Sequence, residues 1–258
     1  MSAIQLVVFD IAGTTVRDRG DVANSFIGAF REHGLEIPVE EVKKVMGFRK
    51  ADAIRILLDK FYPGSPTAAV ASFPQAAAPS TFASSIHDAF IGNMISFYEE
   101  DQQLEPLPHA EEIFSRLKER GLKIALNTGF TRAITDTILQ RLHWNNGYER
   151  IDKVICSDEV PQGRPYPDMI RTLIAGLGIS SPARVLKVGD TEVDVEEGRN
   201  AGCGIVVSVT TGAYTRAQLE QYHPDHIIDD LRELIPIISP FALSSGPPEL
   251  PGLIAASV

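Results

Sequence analysis

Only two cysteines, Cys156 and Cys203, occur in the 258 residues. They are too few for a disulfide framework and too far apart for a C-x-x-C metal site, so two buried, reduced thiols are expected. Basic residues are also scarce: 24 Lys and Arg face 34 Asp and Glu, a net charge of -10. That balance argues against a nucleic-acid backbone or an anionic membrane surface as partner. No run approaches the 18 apolar residues of a membrane span. The opening "MSAIQLVVFD" lacks a basic region followed by a long apolar stretch and a cleavage site. Neither export nor membrane insertion is expected, and the chain reads as cytoplasmic. The six histidines (His33, His87, His109, His143, His223 and His226) have no metal-ligand spacing and suit surface or helix-end positions. The lone tryptophan, Trp144, sits near Leu142 and should pack at the edge of the core.

What is present is an ordinary globular composition, 44% hydrophobic and 22% charged, in a chain long enough for a core plus a smaller unit. Short apolar runs alternate with amphipathic helical patterns, which predicts an α/β fold with a Rossmann-like parallel sheet. The strands expected are Gln5–Phe9, Lys123–Leu126, Lys153–Ser157, Val185–Val188, Gly204–Val209 and His226–Ile228. Helices are expected over Ala110–Arg120, Ala133–Leu142, Asp168–Leu177, Asp194–Ala201 and Ala217–Gln221. The first repeat is interrupted, because the segment from about Val16 to Gln103 reads as helices alone. Residues 1–15 and 104–238 are therefore expected to form the α/β core, with 16–103 an all-helical cap. Pro63–Ser80 is rich in Ala, Pro and Ser and reads as a mobile loop, and Ser239–Val258 as a Pro/Gly-rich tail.

Each strand is followed by a polar turn, and in open parallel sheets such turns converge on the ligand crevice. Four carry matching chemistry: "FDIAGTT" with Asp10, "ALNTG" with Thr128, "GRPYP" with Arg164, and "KVGDTEVD" with Asp190 and Asp194. A carboxylate that attacks an anionic phosphorus centre needs a base and a divalent cation to screen the repulsion. Hard oxygen donors from two or three carboxylates suit Mg²⁺. The "AGTT" turn, followed by a helix start, can cradle phosphate oxygens with backbone N–H groups.

In this order the motifs resemble the haloacid dehalogenase (HAD) superfamily of aspartyl hydrolases. With "MGFRK" they look like its phosphonatase (phosphonoacetaldehyde hydrolase) branch, over roughly Ile4 to Asp230 and most weakly over Phe61–Ser85. The resemblance implies that Asp10 is the nucleophile. Mg²⁺ would be held by the Asp10 carboxylate, the Ala12 carbonyl and Asp190, with Asp194 supporting the metal shell. Thr128 would bond a phosphoryl oxygen, and Arg164 would pair with phosphate and nucleophile. Gly13, Thr14, Met46, Gly129 and Phe130 would lie around the substrate. A homodimer through the cap is also implied.

Ala12 stands where many phosphatases of this superfamily keep a second aspartate, which protonates the leaving alkoxide. In the phosphonatase branch a cap lysine instead forms an imine with the substrate aldehyde, and Lys50 matches its position, with Met46 beside it. Gly20, Ala53 and Phe130 replace the cysteine, histidine and tyrosine of that branch, which predicts a wider, more apolar pocket. The sequence thus favours first a phosphatase of a small organic phosphate with an apolar, isoprenoid-like body. The alternative is cleavage of carbon–phosphorus in phosphonoacetaldehyde through Lys50, and the third reading is a non-catalytic binding protein on the same fold.

Overall fold

The computed structural model describes residues 3–62, 81–145 and 148–238. The Pro63–Ser80 loop and the Ser239–Val258 tail read from the sequence lie outside these. Among the described residues six parallel strands form one sheet: β1 (Leu6–Phe9), β2 (Lys123–Thr128), β3 (Lys153–Cys156), β4 (Val185–Gly189), β5 (Ile205–Val209) and β6 (His226–Ile228), in spatial order β3-β2-β1-β4-β5-β6. β1 is central because it is apolar on both faces. Val7 and Phe9 point into one buried cluster, and Leu6 and Val8 into the other, as a period of two requires. The chain runs from β1 outward through β2 to β3, then returns to lay β4 on the other flank of β1. This reversal opens a crevice at the carboxyl ends of β1 and β4, where Asp10 and Asp190 follow directly.

Between β1 and β2 the described residues form helices: α1 (Asp21–Glu32), α2 (Val39–Lys43), α3 (Lys50–Phe61), α4 (Thr81–Glu100) and α5 (Ala110–Glu119). The outgoing and returning strands of this segment lie side by side. Val16 bridges Pro106, Leu107 N–H donates to Thr15 O at 2.8 Å, and Arg17 N–H to Glu105 O at 3.2 Å. α1 buries Val22, Phe26, Ala29 and Phe30 at three- and four-residue spacing, one apolar stripe. The stripe of α3 is Lys50, Ala53, Ile54, Leu57 and Leu58. A lysine thus takes a place that the pattern reserves for a hydrophobe.

The remaining helices are α6 (Arg132–Arg141), α7 (Asp168–Leu177), α8 (Glu192–Ala201), α9 (Arg216–Leu219) and α10 (Leu234–Ile238). α8 starts two residues before the expected Asp194, because Thr191 and Asp194 form a reciprocal capping box, which fixes the helix start ahead of the acid. Gly202 ends α8 in the left-handed region, φ 77°, as expected of a helix stop. α9 is shorter than expected and gives way to a 3₁₀ turn over Glu220–Tyr222. His109, His143 and His223 have positive φ at helix ends. Trp144 packs edge-on against Phe114 at 5.4 Å and donates to Glu111 Oε1 at 2.7 Å. Among the described residues no helix is long and apolar enough to cross a membrane.

Candidate active site

The turn after β1 spends most of the donors expected to cradle phosphate on itself. Ile11 O accepts from the N–H groups of Thr14, Thr15 and Val16, and Gly13 N–H donates to Val16 O. These donors close the turn on itself, and the next helix begins only at Asp21. The two threonines instead fix acids in place. Thr14 Oγ1 donates to Asp190 Oδ1 at 3.1 Å and Thr15 Oγ1 to Asp10 O at 2.9 Å.

Asp10 is buried at the tip of β1, with its Oδ1 held by an Arg164 guanidinium N–H at 2.7 Å. Arg164 is itself buried and saturated. Nε donates to Glu197 Oε2 at 3.1 Å, and the second guanidinium nitrogen to Asn127 O and Oδ1 at 2.7 and 2.8 Å. Lys187, from the middle of β4, donates to Asn127 Oδ1 at 2.7 Å and lies 3.3 Å from Glu197 Oε2. Asp194 Oδ1 faces both bases, at 3.0 Å from Arg164 and 2.9 Å from Lys187. These are charge contacts without hydrogen-bond alignment. Its Oδ2 accepts from Thr191 Oγ1 and N–H. Both oxygens of Asp194 are therefore engaged by protein groups.

Four buried carboxylates (Asp10, Asp190, Asp194, Glu197) thus outnumber the buried bases Arg164, Lys187 and Lys50. The excess sits on Asp10 and Asp190. Burial, then repulsion from Asp10 and Asp194, holds the Asp190 carboxyl well above the ordinary carboxylate range. Burial also raises Asp10, against the pull of Arg164. The pull of Arg164 and Lys187 outweighs the burial of Asp194 and holds it below that range. A divalent cation held by Asp10 and Asp190 would offset this excess of negative charge. Among the described residues no three acidic, His or Cys side chains stand at metal-holding spacing. Asp10 and Asp190 offer two hard carboxylate donors, and such a pair completed by a main-chain carbonyl and water would suit Mg²⁺.

Asp190 is clamped from the far side by the loop after β5. Ala213 N–H donates to Asp190 Oδ2 at 2.7 Å, and Thr211 Oγ1 donates to Gly13 O at 2.7 Å. Between them, a Cβ added to Gly212 would sit 2.0 Å from Asp190 Oδ2. Gly212→Ala is expected to push this carboxylate aside and weaken activation by Mg²⁺ by about 10–100-fold. Titrating activity against Mg²⁺ measures this, and an unchanged midpoint would exclude Asp190 as a ligand.

A pocket opens over these acids, lined by Asp10, Ala12, Lys50, Thr128, Phe130 and Asp190, with Val22, Met46, Gly47, Gly129 and Thr191 completing it. Gly13, Thr14, Arg164 and Asp194 do not line it; they stand behind it. Thr128 Oγ1 accepts from Phe130 N–H at 3.1 Å, which leaves its own proton free for a ligand oxygen. Gly129 is pressed against the carbonyls of Gly47 and Phe48, so the Met46–Lys50 segment roofs this side of the pocket.

Lys50 is 3% exposed and makes no hydrogen bond or ion pair among the described residues. Its ammonium lies 5.0 Å from the Phe130 ring centre and 5.6 Å from that of Phe26. Burial pushes its pKa down to about 8, with Asp10 pulling it upward and Arg164 downward. Of the three positions expected to widen the pocket, only Phe130 lines it. Gly20 is exposed at the start of α1, and Ala53 is packed inside α3's apolar stripe. The predicted enlargement is thereby reduced to one apolar wall.

Sequence reasoning passed over Asn127, Lys187 and Glu197. Two signals were available: a lysine inside the apolar strand "VLKVG", and a glutamate three residues after Asp194, on the same helix face.

A buried carboxylate at a sheet's switch point, a second acid across the crevice and a base behind them are parts that a hydrolase of the phosphoryl-transfer kind requires. The haloacid dehalogenase-like hydrolase family model matches residues 4–202, and the chain belongs to that family; it is an enzyme of phosphatase or phosphonatase type. It is similar to the phosphonoacetaldehyde hydrolase of Bacillus cereus, 33% identical over 248 residues, covering 91% of this chain and 86% of the relative. The Bacillus mycoides protein of the same name is 32% identical over 249 residues, with the same coverage. Among solved structures, a phosphonoacetaldehyde hydrolase like protein from Oleispira antarctica superposes with a TM-score of 0.76 at 23% identity, covering 93% of each chain.

Proposed function

We propose that the chain hydrolyses the carbon–phosphorus bond of a small 2-oxo-phosphonate of the phosphonoacetaldehyde class. The observation that carries this reading is Lys50: a buried amine without a carboxylate partner, in the same pocket as Asp10. The names of the relatives at 32–33% identity support it. This reverses the order suggested by the sequence, because Gly20 and Ala53 do not open the pocket as expected.

The chemistry follows from the side chains. The neutral Lys50 amine adds to the substrate carbonyl and, with loss of water, forms an imine that is protonated on nitrogen. The free Asp10 oxygen attacks phosphorus while Arg164 holds the other. The carbon–phosphorus bond breaks, and its electron pair passes into an enamine as the iminium nitrogen becomes neutral. Protonation at carbon restores the imine, which water hydrolyses to aldehyde and free Lys50. A second water then splits the aspartyl phosphate to inorganic phosphate and Asp10. Thr128 donates its free hydroxyl proton to a phosphoryl oxygen. Asp10, Ala12 O and Asp190 would hold Mg²⁺, which would supply positive charge to let a dianion approach a carboxylate. The α1–α4 segment acts as the cap that excludes water. In the same reading the enzyme works in the cytoplasm, with Cys156 and Cys203 as buried thiols, and a cap-to-cap homodimer would use the exposed Val39 and Ile56.

A second reading is favoured by the apolar wall of Val22, Met46 and Phe130. In it, a phosphate ester with an apolar body is cleaved, and the Lys50 ammonium protonates the leaving oxygen. The two readings need opposite forms of one amine. With a pKa of about 8, roughly one-tenth of Lys50 is neutral at pH 7. Imine formation is therefore expected to rise with pH and level off above about 8, whereas ester cleavage assisted by the ammonium falls over that range. A kcat/KM profile on each substrate reads the sign. Borohydride added with phosphonoacetaldehyde should increase the mass of the Lys50 peptide; no label, with phosphate released from esters, would overturn the imine reading.

A further inference from the structure

Lys50 is the first residue of α3, and its preceding neighbour, Arg49, is the helix N-cap, whose carbonyl accepts from Asp52 and Ala53 N–H at 3.0 Å each. Arg49 reaches away from the helix. Its guanidinium donates to Pro161 O at 3.1 Å, and its aliphatic stem lies on Gly163, where an added Cβ would come within 2.7 Å of Arg49 Cβ. Gly163 precedes Arg164, the residue that holds Asp10. One short path therefore joins the two reacting side chains: Lys50 to Arg49 by a peptide bond, Arg49 to the 161–163 loop by a hydrogen bond and close packing, and Arg164 to Asp10 by an ion pair. Arg49 makes no ion pair among the described residues, so its contribution is one of reach and direction rather than of charge.

We propose that Arg49 is a positioning residue, which fastens the amino end of α3 to the loop carrying Arg164 and so sets the distance between the Lys50 amine and the Asp10 carboxylate. The proposal rests on the imine reading above and deepens it. A misplacement of about 1 Å in such a pair costs up to roughly 100-fold in rate, and nothing else among the described contacts ties α3 directly to this loop.

The test uses the whole chain with Mg²⁺ and compares wild type with Arg49→Met, Arg49→Lys and Gly163→Ala. Arg49→Met keeps the apolar stem and loses the donor. It should lower kcat for phosphonoacetaldehyde about 10–100-fold, leave KM within about twofold, and slow borohydride trapping at Lys50 in parallel. p-Nitrophenyl phosphate, whose leaving group needs no amine, should be hydrolysed within about twofold of wild type. Arg49→Lys, which restores a donor on a long stem, should recover most of kcat, whereas Gly163→Ala, which displaces the stem, should behave like Arg49→Met. A readout independent of the imine is the rate at which acetic anhydride acetylates Lys50, followed on its peptide by mass spectrometry; Arg49→Met should change it severalfold. A wild type that traps no imine overturns the imine reading alone. An Arg49→Met protein with unchanged Lys50 acetylation and unchanged kcat overturns the tie. So does one that loses p-nitrophenyl phosphate hydrolysis as severely as phosphonate cleavage, since Arg49 would then be supporting the fold.

Discussion

Asp10→Asn is expected to lower phosphate release at least roughly ten-thousandfold, on p-nitrophenyl phosphate and phosphonoacetaldehyde alike, because removal of a covalent nucleophile leaves only binding and electrostatics behind. The substitution keeps the shape of the side chain and a hydrogen-bond acceptor for Arg164, whose four other contacts to Glu197, Asn127 and Asp194 hold it in place. The fold should survive. One fewer buried negative charge also reduces the demand for a divalent cation, so the variant should bind Mg²⁺ more weakly than wild type. Steady-state assays, a melting curve and calorimetric titration with Mg²⁺ measure the three effects. Substantial residual activity with an intact fold would remove Asp10 from the centre of the mechanism.

Lys50→Met is expected to separate chemistry from stability. On the imine reading, carbon–phosphorus cleavage should vanish, since no imine can form, while p-nitrophenyl phosphate hydrolysis persists within a few-fold. At the same time the protein should melt several degrees higher at pH 7. The folded pKa of about 8 lies below the reference 10.5, so the charged amine is the form that burial disfavours. That penalty, on the order of 3 kcal/mol, is fully present below pH 8 and shrinks to nothing as pH rises from about 8 to 10.5. Methionine is of similar length and fits between Phe26, Met46 and Phe130. The stabilisation should therefore be large at neutral pH and small near pH 10, which melting curves at the two pH values compare directly. An unchanged melting temperature at pH 7 would mean that the amine is better hydrated than its surroundings indicate.

How much of this was legible beforehand follows a physical boundary. The strands were readable because each is a short apolar run closed by a polar turn, and every one lies within two residues of its expected place. The main acids were readable because a carboxylate directly after "LVVF" is costly without a compensating cation. Three things were hidden. The N–H groups of Thr14, Thr15 and Val16 turn inward to Ile11 O, which no motif announces. Asp194 divides its oxygens between a capping box and two bases, and a spacing cannot reveal that division. The exposure of Gly20 and the interior packing of Ala53 depend on how α1 and α3 are rotated. Substitutions at those two positions therefore looked like changes to the pocket when they were not. One clue was in plain view: Lys50 occupies the apolar stripe of α3, so its burial followed from helical periodicity alone.

The pairing of Val16 with Pro106 has an evolutionary corollary. Because the chain departs from the catalytic sheet and rejoins it through adjacent rungs, the sheet meets only a closed junction, whatever the intervening helices happen to be. Closure entropy rises slowly with the length enclosed, by about 0.6 kcal/mol per doubling. Lineages could therefore exchange or enlarge the enclosed portion at small energetic penalty, altering which molecules are admitted while the acids beneath keep their spacing.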